Sequence, residues 1–310
     1  MPKLHLQAFC LHKAGNRREE YEDAWACDAE TGRLAVADGA SDAFESRLWA
    51  AALVQAFVRE PPPSDIEAML GWLAAPAQVW RAGIRWDQLP WYAAEKARRG
   101  AFATLLGLTF TWPSADSADA SVHSHRSIPS TGSGQALSGT PRSLRGEAEG
   151  CDLTLDDCSA TPEQMPVCGW QAVAVGDACL FQVRDDALLS SFPVTEAAAF
   201  GTTPPLLSKR ADYSRRSLEH LSMAAGECRP DDLFLLATDA LAAWFLREIE
   251  VGGCPWRSLE ELSLLRFGRL VRRLRHEHSL RNDDVTLLLA RVSGSQDPSG
   301  FRNPKGLIHP

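Results

Sequence analysis

Long apolar runs are missing from this 310-residue chain, because charged residues interrupt each hydrophobic stretch before it could cross a bilayer. The first 20 residues contain some apolar side chains, but charges break them up too early for a secretory signal peptide. We therefore expect a protein without a membrane segment, located in the cytoplasm.

Paired cysteine motifs are also missing. The eight cysteines are scattered, and no two of them form a C-x-x-C pair. This distribution predicts neither a zinc knuckle nor a framework of disulfides. Because thiols stay reduced in the cytoplasm, we expect free thiols.

The chain has fewer basic than acidic residues: 32 Lys and Arg and 40 Asp and Glu give a formal net charge of -8. Nucleic-acid-binding proteins usually present a basic face, so nucleic acid is not expected as a partner. The chain also has no glycine-rich phosphate loop and no G-x-S-x-G nucleophile motif. A Rossmann-like nucleotide site and a serine nucleophile of that type are therefore disfavoured.

What the chain does have is enough apolar content, 45%, for a sizeable core. We predict one domain over residues 1–293, an insertion at about 113–166 and a flexible tail over 294–310. The insertion is rich in Ser, Gly, Ala and Thr, which cannot offset the entropy of ordering. Strand-like sequence resumes directly after it, so we interpret it as part of a loop. Its H-x-H pair, His123 and His125, is interpreted as incidental and not as a metal site.

Hydrophobic periodicity predicts a mixture of strands and helices. The predicted strands cover residues 4–11, 17–27, 34–37, 101–112, 171–175, 179–183, 233–237 and 285–292. The predicted helices begin near residues 42, 64, 90, 240 and 258. Capping-box spacing is found at Asp42 with Glu45, Ser64 with Glu67, and Ser258 with Glu261. Residues 179–183 are expected to pair with 171–175 as a hairpin. Alternation along 17–27 would place Arg18, Glu20 and Glu22 on one face.

Two clusters each admit two interpretations. Four tryptophans crowd one region and form either a ligand surface or core packing, of which we favour packing: Trp72, Trp80, Trp86 and Trp91. Four basic residues either meet an acidic or phosphorylated partner or form a solvated face, of which we favour the solvated face: Lys209, Arg210, Arg215 and Arg216.

Acidic residues occupy the ends of several apolar strands. Three strands end at Asp38, Asp177 and Asp239, and a fourth begins at Asp283. If these acids meet, the last strand must run opposite to the others, which favours a mixed or antiparallel α/β arrangement. Converging carboxylates repel each other and need cations between them. Because the motifs contain no histidine, the all-oxygen ligands indicate Mg²⁺ or Mn²⁺ and not zinc.

Five motifs in this order resemble those of the metal-dependent type 2C serine/threonine protein phosphatases, the PPM family, in its bacterial form. They are RREEYED, VADGA, VGDA, ATDAL and NDDVTLLL, starting at residues 17, 36, 175, 237 and 282. The resemblance covers most of residues 10–292 apart from the insertion. It implies an α/β (α+β) fold, a sandwich of two antiparallel β-sheets flanked by α-helices.

The resemblance also implies roles for individual residues. Glu22 matches a metal ligand and Asp23 the acid that supports it. Asp38 would bridge two metals, and the Gly39 carbonyl would contact one of them. The remaining implied roles are the first-metal ligands Asp239 and Asp283, the supporting acid Asp284, the third-metal acid Asp177 and the phosphate-clamping Arg18, whose neighbour Arg17 could be confused with it.

This sequence departs from the family pattern at three positions. Ala40 stands where many eukaryotic members have a histidine proposed as general acid, so water would protonate the leaving group. Ala240 replaces a glycine, and Asp284 replaces an asparagine that is common there. None of these changes removes a predicted metal ligand.

The prediction is therefore a protein serine/threonine phosphatase that hydrolyses phosphomonoesters through a hydroxide bridging two Mn²⁺ or Mg²⁺ ions, with a third ion in many members. Its expected partners are a phosphorylated protein substrate and, by resemblance, a Ser/Thr kinase or its targets, and the expected state is a monomer. Two alternatives stay open. One is a catalytically weak or inactive binding module of the same fold, and the other is a two-metal nuclease or phosphodiesterase, which the net acidity disfavours.

Overall fold

The computed structural model of the protein describes residues 3–112 and 168–293, except residues 202 and 261. Contacts divide the chain into two units, residues 1–112 with 168–310 and residues 113–167, and the described residues belong to the first unit. The predicted insertion, its His123 and His125 pair, and the predicted tail over 294–310 lie outside the described residues.

Two antiparallel five-stranded sheets form the centre of the fold. The first has the strand order β1-β12-β11-β7-β8, with β1 Lys3–Leu11, β7 Cys179–Arg184, β8 Ala187–Phe192, β11 Leu233–Ala237 and β12 Val285–Ser293. The second has the order β10-β6-β5-β3-β2, with β2 Ala24–Asp28, β3 Arg33–Ala37, β5 Leu105–Thr111, β6 Cys168–Val175 and β10 Ser222–Cys228. A short pair joins β4 Phe102–Ala103 to β9 Leu207–Ser208.

Helices cover the outer face of each sheet. Those that pack beside the second sheet are α1 Ser46–Arg59, α2 Ile66–Trp72, α3 Ala74–Ala82, α4 Trp91–Arg99 and α5 Ala211–Leu218. Those that pack on the first sheet are α6 Asp239–Glu250, α7 Pro255–Glu260 and α8 Leu264–His276. The predicted fold class, a sandwich of two antiparallel sheets flanked by helices, is thus confirmed.

Central strands are apolar on both faces because each face is buried. In β12, Leu287 and Leu289 point into the core beneath the helices. The alternate residues Leu288 and Ala290 lie in the core between the two sheets. Such a strand reads as a continuous hydrophobic run, which is why VTLLLARV could be recognised from sequence.

Several predicted boundaries were wrong. Arg18–Glu20 is a 3-10 turn, so Arg18, Glu20 and Glu22 do not share the face of a strand. The Glu20 carboxylate closes this turn by accepting a hydrogen bond from the Arg17 N–H at 2.6 Å. The predicted hairpin is also wrong, because β6 and β7 belong to different sheets.

The predicted helix caps were displaced. The first helix begins at Ser46, after Glu45 has adopted a left-handed conformation (φ 51°, ψ 44°). Asp65, and not Ser64, caps the next helix by accepting from the Ala68 N–H at 2.9 Å. Near the C-terminal end, Ser263 caps α8, and the partner proposed for Ser258 is one of the residues not described.

The tryptophan cluster is mostly packing, as favoured, with one exception. Trp80 is buried, and its ring meets those of Phe44 and Trp86 edge-on. Trp91 is 85% exposed, so the packing interpretation was wrong for this residue. In the basic cluster, Arg210 and Arg215 form exposed ion pairs, with Asp212 and Glu67.

Free thiols were expected throughout, and this expectation was wrong for one pair. Cys168 and Cys228 face each other across β6 and β10 and form a disulfide, because the strand register places them opposite. Among the described residues, Cys10, Cys27, Cys179 and Cys254 are not part of a disulfide.

Within the part of the chain that the structure describes, none of the helices combines the length and the apolar character that crossing a bilayer requires.

Candidate metal centre

Strand register brings the predicted acids to one end of the sandwich. Ala24, at the start of β2, pairs with Ala37, at the end of β3, so Asp23 and Asp38 are neighbours. Ala237, at the end of β11, pairs with Leu287 near the start of β12 and with Cys179 at the start of β7. Residues just before or after these pairs therefore meet, and they include Asp177, Asp239 and Asp283.

Two threonine hydroxyls donate hydrogen bonds to the carboxylate of Asp23. Its Oδ2 accepts from Thr238 Oγ1 at 2.9 Å and from Thr286 Oγ1 at 2.7 Å. Tyr21 shares a short hydrogen bond with Thr286 and so extends the network. Burial raises the pKa of Asp23 to about 8, although the hydrogen bonds from the two hydroxyls act to lower it. The other oxygen, Oδ1, is buried without a hydrogen-bond partner.

Asp38 is placed by its main chain. Its N–H lies 2.9 Å from Thr104 Oγ1, and its carbonyl accepts from the Thr104 N–H at 2.9 Å. Thr104 stands at the break between β4 and β5, where sequence predicted one continuous strand. Burial, followed by repulsion from neighbouring acids, raises the pKa of Asp38 well above its usual range.

Asp177 and Asp239 lie on the far side of this cluster. Asp177 occupies the connection by which the chain crosses from one sheet to the other, and it is only 7% exposed. Its Oδ1 has no hydrogen-bond partner, and burial together with the Asp239 charge raises its pKa to about 7. Burial also raises the pKa of Asp239, the first residue of α6.

Asp284 ties two chain segments together beside the acids. One carboxylate oxygen accepts from the Lys13 N–H at 2.8 Å, and the other accepts from the Glu22 N–H at 2.7 Å. This arrangement fixes the end of β1 against the approach to β2. Asp284 thus holds the backbone of Glu22 in place.

Two cations that sequence reasoning missed lie among these carboxylates. The Lys13 ammonium is 3.9 Å from Glu22 Oε2 and 3.5 Å from Asp283 Oδ1, and it donates to Ser41 Oγ at 3.0 Å. Arg281 forms an ion pair with Asp239 and lies 3.3 Å from Asp283 Oδ2. The available signal was proximity in sequence, since Arg281 precedes the NDD motif and Lys13 directly follows the first strand.

The predicted phosphate clamp is not in contact with the acids. Arg18 is exposed on its 3-10 turn, and among the described residues it forms no ion pair with a carboxylate within 4 Å. Gly39, in contrast, is tightly enclosed. A Cβ atom there would lie 2.8 Å from the Glu22 carbonyl oxygen and 3.0 Å from Ser46, so only glycine fits.

The chemistry of the donor set fits divalent metal ions. All the candidate ligands offer oxygen, which hard cations prefer. Buried Asp23 and Asp177 each keep an unpartnered oxygen, and burial with mutual repulsion raises several pKa values, as is expected where a cation would offset the charge. As the side chains stand in the described residues, no group of three or more His, Cys, Asp or Glu has the geometry to hold an ion.

Sequence comparison finds no match, either to a family model or to a curated protein. Solved structures do match. The serine/threonine phosphatase PstP/Ppp of Mycobacterium tuberculosis is 13% identical with a TM-score of 0.52, over 94% of this chain and 100% of that one. A bacterial serine phosphatase is 13% identical with a TM-score of 0.51, over 95% of this chain and 100% of that one.

A third structure, the catalytic domain of PstP in complex with 2 manganese ions, is 16% identical with a TM-score of 0.47, over 95% of this chain and 100% of that one. The two better superpositions span nearly the whole of both partners, and at this identity they establish the fold. The chain therefore has the fold of the PPM-type serine/threonine phosphatases, the family that its five motifs resemble.

Proposed function

We propose that the protein is a metal-dependent phosphatase that removes phosphate from serine and threonine side chains of other proteins. The observation that carries this proposal is the convergence of acids from separate strand ends on one buried site of a phosphatase fold. A cytoplasmic location, a monomeric state and a Ser/Thr kinase acting on the same targets complete the proposal.

Under this proposal the metal ligands are the acids at the strand ends. Glu22, Asp38 and the Gly39 carbonyl would hold one ion, and Asp38, Asp239 and Asp283 the other. Asp177 would help to hold a third. Bound Mg²⁺ or Mn²⁺ would supply a nucleophilic hydroxide at neutral pH and would withdraw charge from the phosphoryl oxygens.

The chain's own residues would position the rest of the reaction. Asp23, fixed by Thr238 and Thr286, holds an acid in a fixed position at the base of the site. Asp284 holds the Glu22 backbone in place. Rigid placement of this kind is what lets charged groups stabilise a transition state without reorganising.

Two cations are available for the phosphoryl oxygens. Arg18 is proposed from its place in the motif, since a guanidinium fork suits two phosphate oxygens. Lys13 is proposed from geometry, because its ammonium already lies between Glu22 and Asp283. Ala40 cannot donate a proton, so the leaving oxygen would take its proton from water.

A second candidate is a binding module without turnover. The ion pairs of Arg281 with Asp239 and of Lys13 with Asp283 favour it, because they already offset part of the negative charge of the site. Such a protein would keep the fold and recognise a phosphorylated partner without hydrolysing it.

Hydrolysis of a phosphothreonine peptide with Mn²⁺, with EDTA, and by the Asp239→Ala variant tests the phosphatase proposal. We expect turnover with Mn²⁺ that is lost with EDTA and in Asp239→Ala, while Asp87→Ala, which changes an exposed acid outside the cluster, keeps it. If folded wild-type protein with Mn²⁺ releases no more phosphate than Asp239→Ala, the binding module is the better description. Faster hydrolysis of a phosphodiester than of the monoester would instead favour a nuclease or phosphodiesterase.

A further inference from the structure

A cavity of about 420 Å³ opens beside the acid cluster. Its walls come from four places: the turn after β3, the last turn of α4, the first residue of β4, and the segment before β9. Ala40, the residue next to Gly39, lines it, and so do Phe102 and Leu206. Because Ala40 follows Asp38 and Gly39 in the chain, this wall of the cavity adjoins the strand-end acids.

A charge on the cavity wall acts on one of the acids of the candidate metal centre. Lys96, on the α4 wall, is close enough to Glu22 for its charge to lower the pKa of that carboxyl, although burial raises the same pKa by more. Ser41, the neighbour of Ala40, donates a hydrogen bond to Glu22. A group bound at the acids would therefore have the cavity directly beside it.

The α4 wall carries two cations, Lys96 and Arg99. Lys96 and Arg99 stand three residues apart, on the same side of the helix, and both line the cavity. Among the described residues neither has a carboxylate within 4 Å, whereas Glu95, which also lines the cavity, is 3.5 Å from Arg98. The lining itself thus carries two cations and two acids, Asp42 and Glu95, and Arg98, just outside the lining, offsets the charge of Glu95.

A third cation, Lys209, lies behind the α4 wall and adds positive charge on this side of the cavity. A Cβ atom on Gly100 would lie 3.3 Å from Lys209 Cε, so Lys209 is packed directly against the end of α4. Its ammonium lies 4.3 Å from the centre of the Trp80 ring instead of beside a carboxylate. Arg81 and Arg210 are also near enough for their charges to lower its pKa, after burial. Positive charge is thus gathered on this side of the cavity.

We propose that this cavity is the subsite for a substrate residue next to the phosphorylated one, and that Lys96 and Arg99 make it selective for an acidic side chain, Asp or Glu. This inference rests on the proposed phosphatase function and adds a substrate class to it. A carboxylate bound here would form ion pairs with Lys96 and Arg99. The apolar surface of Ala40, Phe102 and Leu206 would contact the aliphatic part of its side chain.

Matched phosphothreonine heptapeptides that differ only in Glu, Ala or Lys on either side of the phosphothreonine test the proposal. We expect kcat/KM for a Glu peptide to exceed that for the Ala peptide by about threefold to tenfold, which is the range of one or two partly exposed ion pairs. The Lys peptide should be slower than the Ala peptide. The Glu-to-Ala ratio should fall toward one in Lys96→Ala and Arg99→Ala, with p-nitrophenyl phosphate normalising each variant for folding and metal loading.

Arg85→Ala is the control, because Arg85 is an exposed arginine that does not line the cavity and, among the described residues, has no carboxylate within 4 Å. It should keep the Glu-to-Ala ratio of the wild type. A ratio of one in the wild type, or an equal loss in Arg85→Ala and Arg99→Ala, would overturn the subsite.

Peptide affinity gives a readout that needs no turnover. Fluorescence anisotropy with the Asp239→Ala variant should show tighter binding of the Glu peptide than of the Ala peptide, and adding Lys96→Ala or Arg99→Ala should remove the difference. Turnover without any acidic preference would refute the subsite and leave the phosphatase function standing. An acidic preference in binding without turnover in the wild type would refute the phosphatase function and support the subsite.

Discussion

At the scale of single residues, the candidate site depends on a few side chains that hold main-chain groups in place. Asp284 accepts hydrogen bonds from two N–H groups that are distant from it in sequence, those of Lys13 and Glu22. Thr238 and Thr286 instead donate hydrogen bonds to the side-chain carboxylate of Asp23 and fix its position. Such contacts position the acids without binding substrate, so changes in them should affect stability as well as activity.

Replacing Asp284 should separate these effects. Asp284→Ala leaves both N–H groups without their acceptor, and we expect a loss of about 1–3 kcal/mol in the free energy of unfolding. Asp284→Asn keeps one carbonyl oxygen and should lose less. Urea unfolding monitored by tryptophan fluorescence measures both, and equal stability of Asp284→Ala and wild type would show that these hydrogen bonds contribute little.

Arg18 is the proposed phosphate clamp, and its neighbour Arg17 offers a control of the same charge. If Arg18 binds the phosphoryl group, Arg18→Ala should lower kcat/KM for p-nitrophenyl phosphate by about 100-fold, a usual loss for a group that stabilises transition-state charge. Arg17→Ala, which also removes an exposed arginine, should change it by less than about twofold. Similar losses in both variants would assign the effect to the 3-10 turn and not to one guanidinium.

At the scale of elements, α1 packs on the second sheet through one close approach. A Cβ atom on Gly107, in the middle of β5, would lie 2.1 Å from the Phe57 ring of this helix. Glycine is therefore required here by packing and not by backbone conformation. The contact sets the distance between α1 and β5, the strand that pairs with β3, and Asp38 directly follows β3.

Gly107→Ala should consequently be destabilising. We expect a loss of about 1–3 kcal/mol in the free energy of unfolding, since the added methyl group overpacks a filled core. Gly71→Ala is the control, because nothing lies within 4 Å of a Cβ atom at that helical position. It should be neutral or stabilising by up to about 1 kcal/mol. Urea denaturation compares the two variants, and equal stabilities would contradict the packing argument.

The disulfide between β6 and β10 is a second feature at this scale. It joins residues 60 apart in sequence, so it restricts a long segment of the unfolded chain. Cys228→Ser should lower the free energy of unfolding by about 2–4 kcal/mol without reductant. Cys254→Ser, which changes a free cysteine, should have a much smaller effect. If dithiothreitol leaves wild-type unfolding unchanged, the pair does not form in solution.

At the scale of the whole molecule, the strand-end acids should couple metal binding to folding. They come from both sheets, so a bound ion would join the two halves of the sandwich. An ion that binds only the folded state stabilises it by about 2.7 kcal/mol at 100 times its Kd. The charge repulsion among the acids would be relieved at the same time.

Mn²⁺ should therefore raise the melting temperature of the wild type by several degrees in differential scanning fluorimetry. Asp38→Asn should remove most of this shift, because Asp38 is the acid proposed to contact two ions. Asp87→Asn, at an exposed position outside the cluster, should keep it. An equal shift in Asp38→Asn and wild type would place the ion elsewhere.

Local patterns determined much of the outcome. The apolar runs that become β3, β11 and β12 are visible because both faces of a central strand are buried. The acid beside each run could be read with them, and its place at a strand end implied the direction of the last strand. Helix caps were less predictable, since Glu45 takes a left-handed conformation that its capping-box spacing does not indicate.

By itself, then, the sequence predicted a mixed or antiparallel α/β arrangement with a set of acids at the strand ends, because hydrophobic alternation and strand termini are local properties. The sandwich of two sheets was implied by the resemblance of the five motifs to the PPM family. Only the tertiary structure decided that β6 and β7 lie in different sheets, since strand pairing depends on long-range contacts. It also decided that Lys13 and Arg281 lie among the acids and that Lys96 and Arg99 line a cavity beside them. Charged side chains meet partners across the fold at distances in sequence that no local pattern encodes.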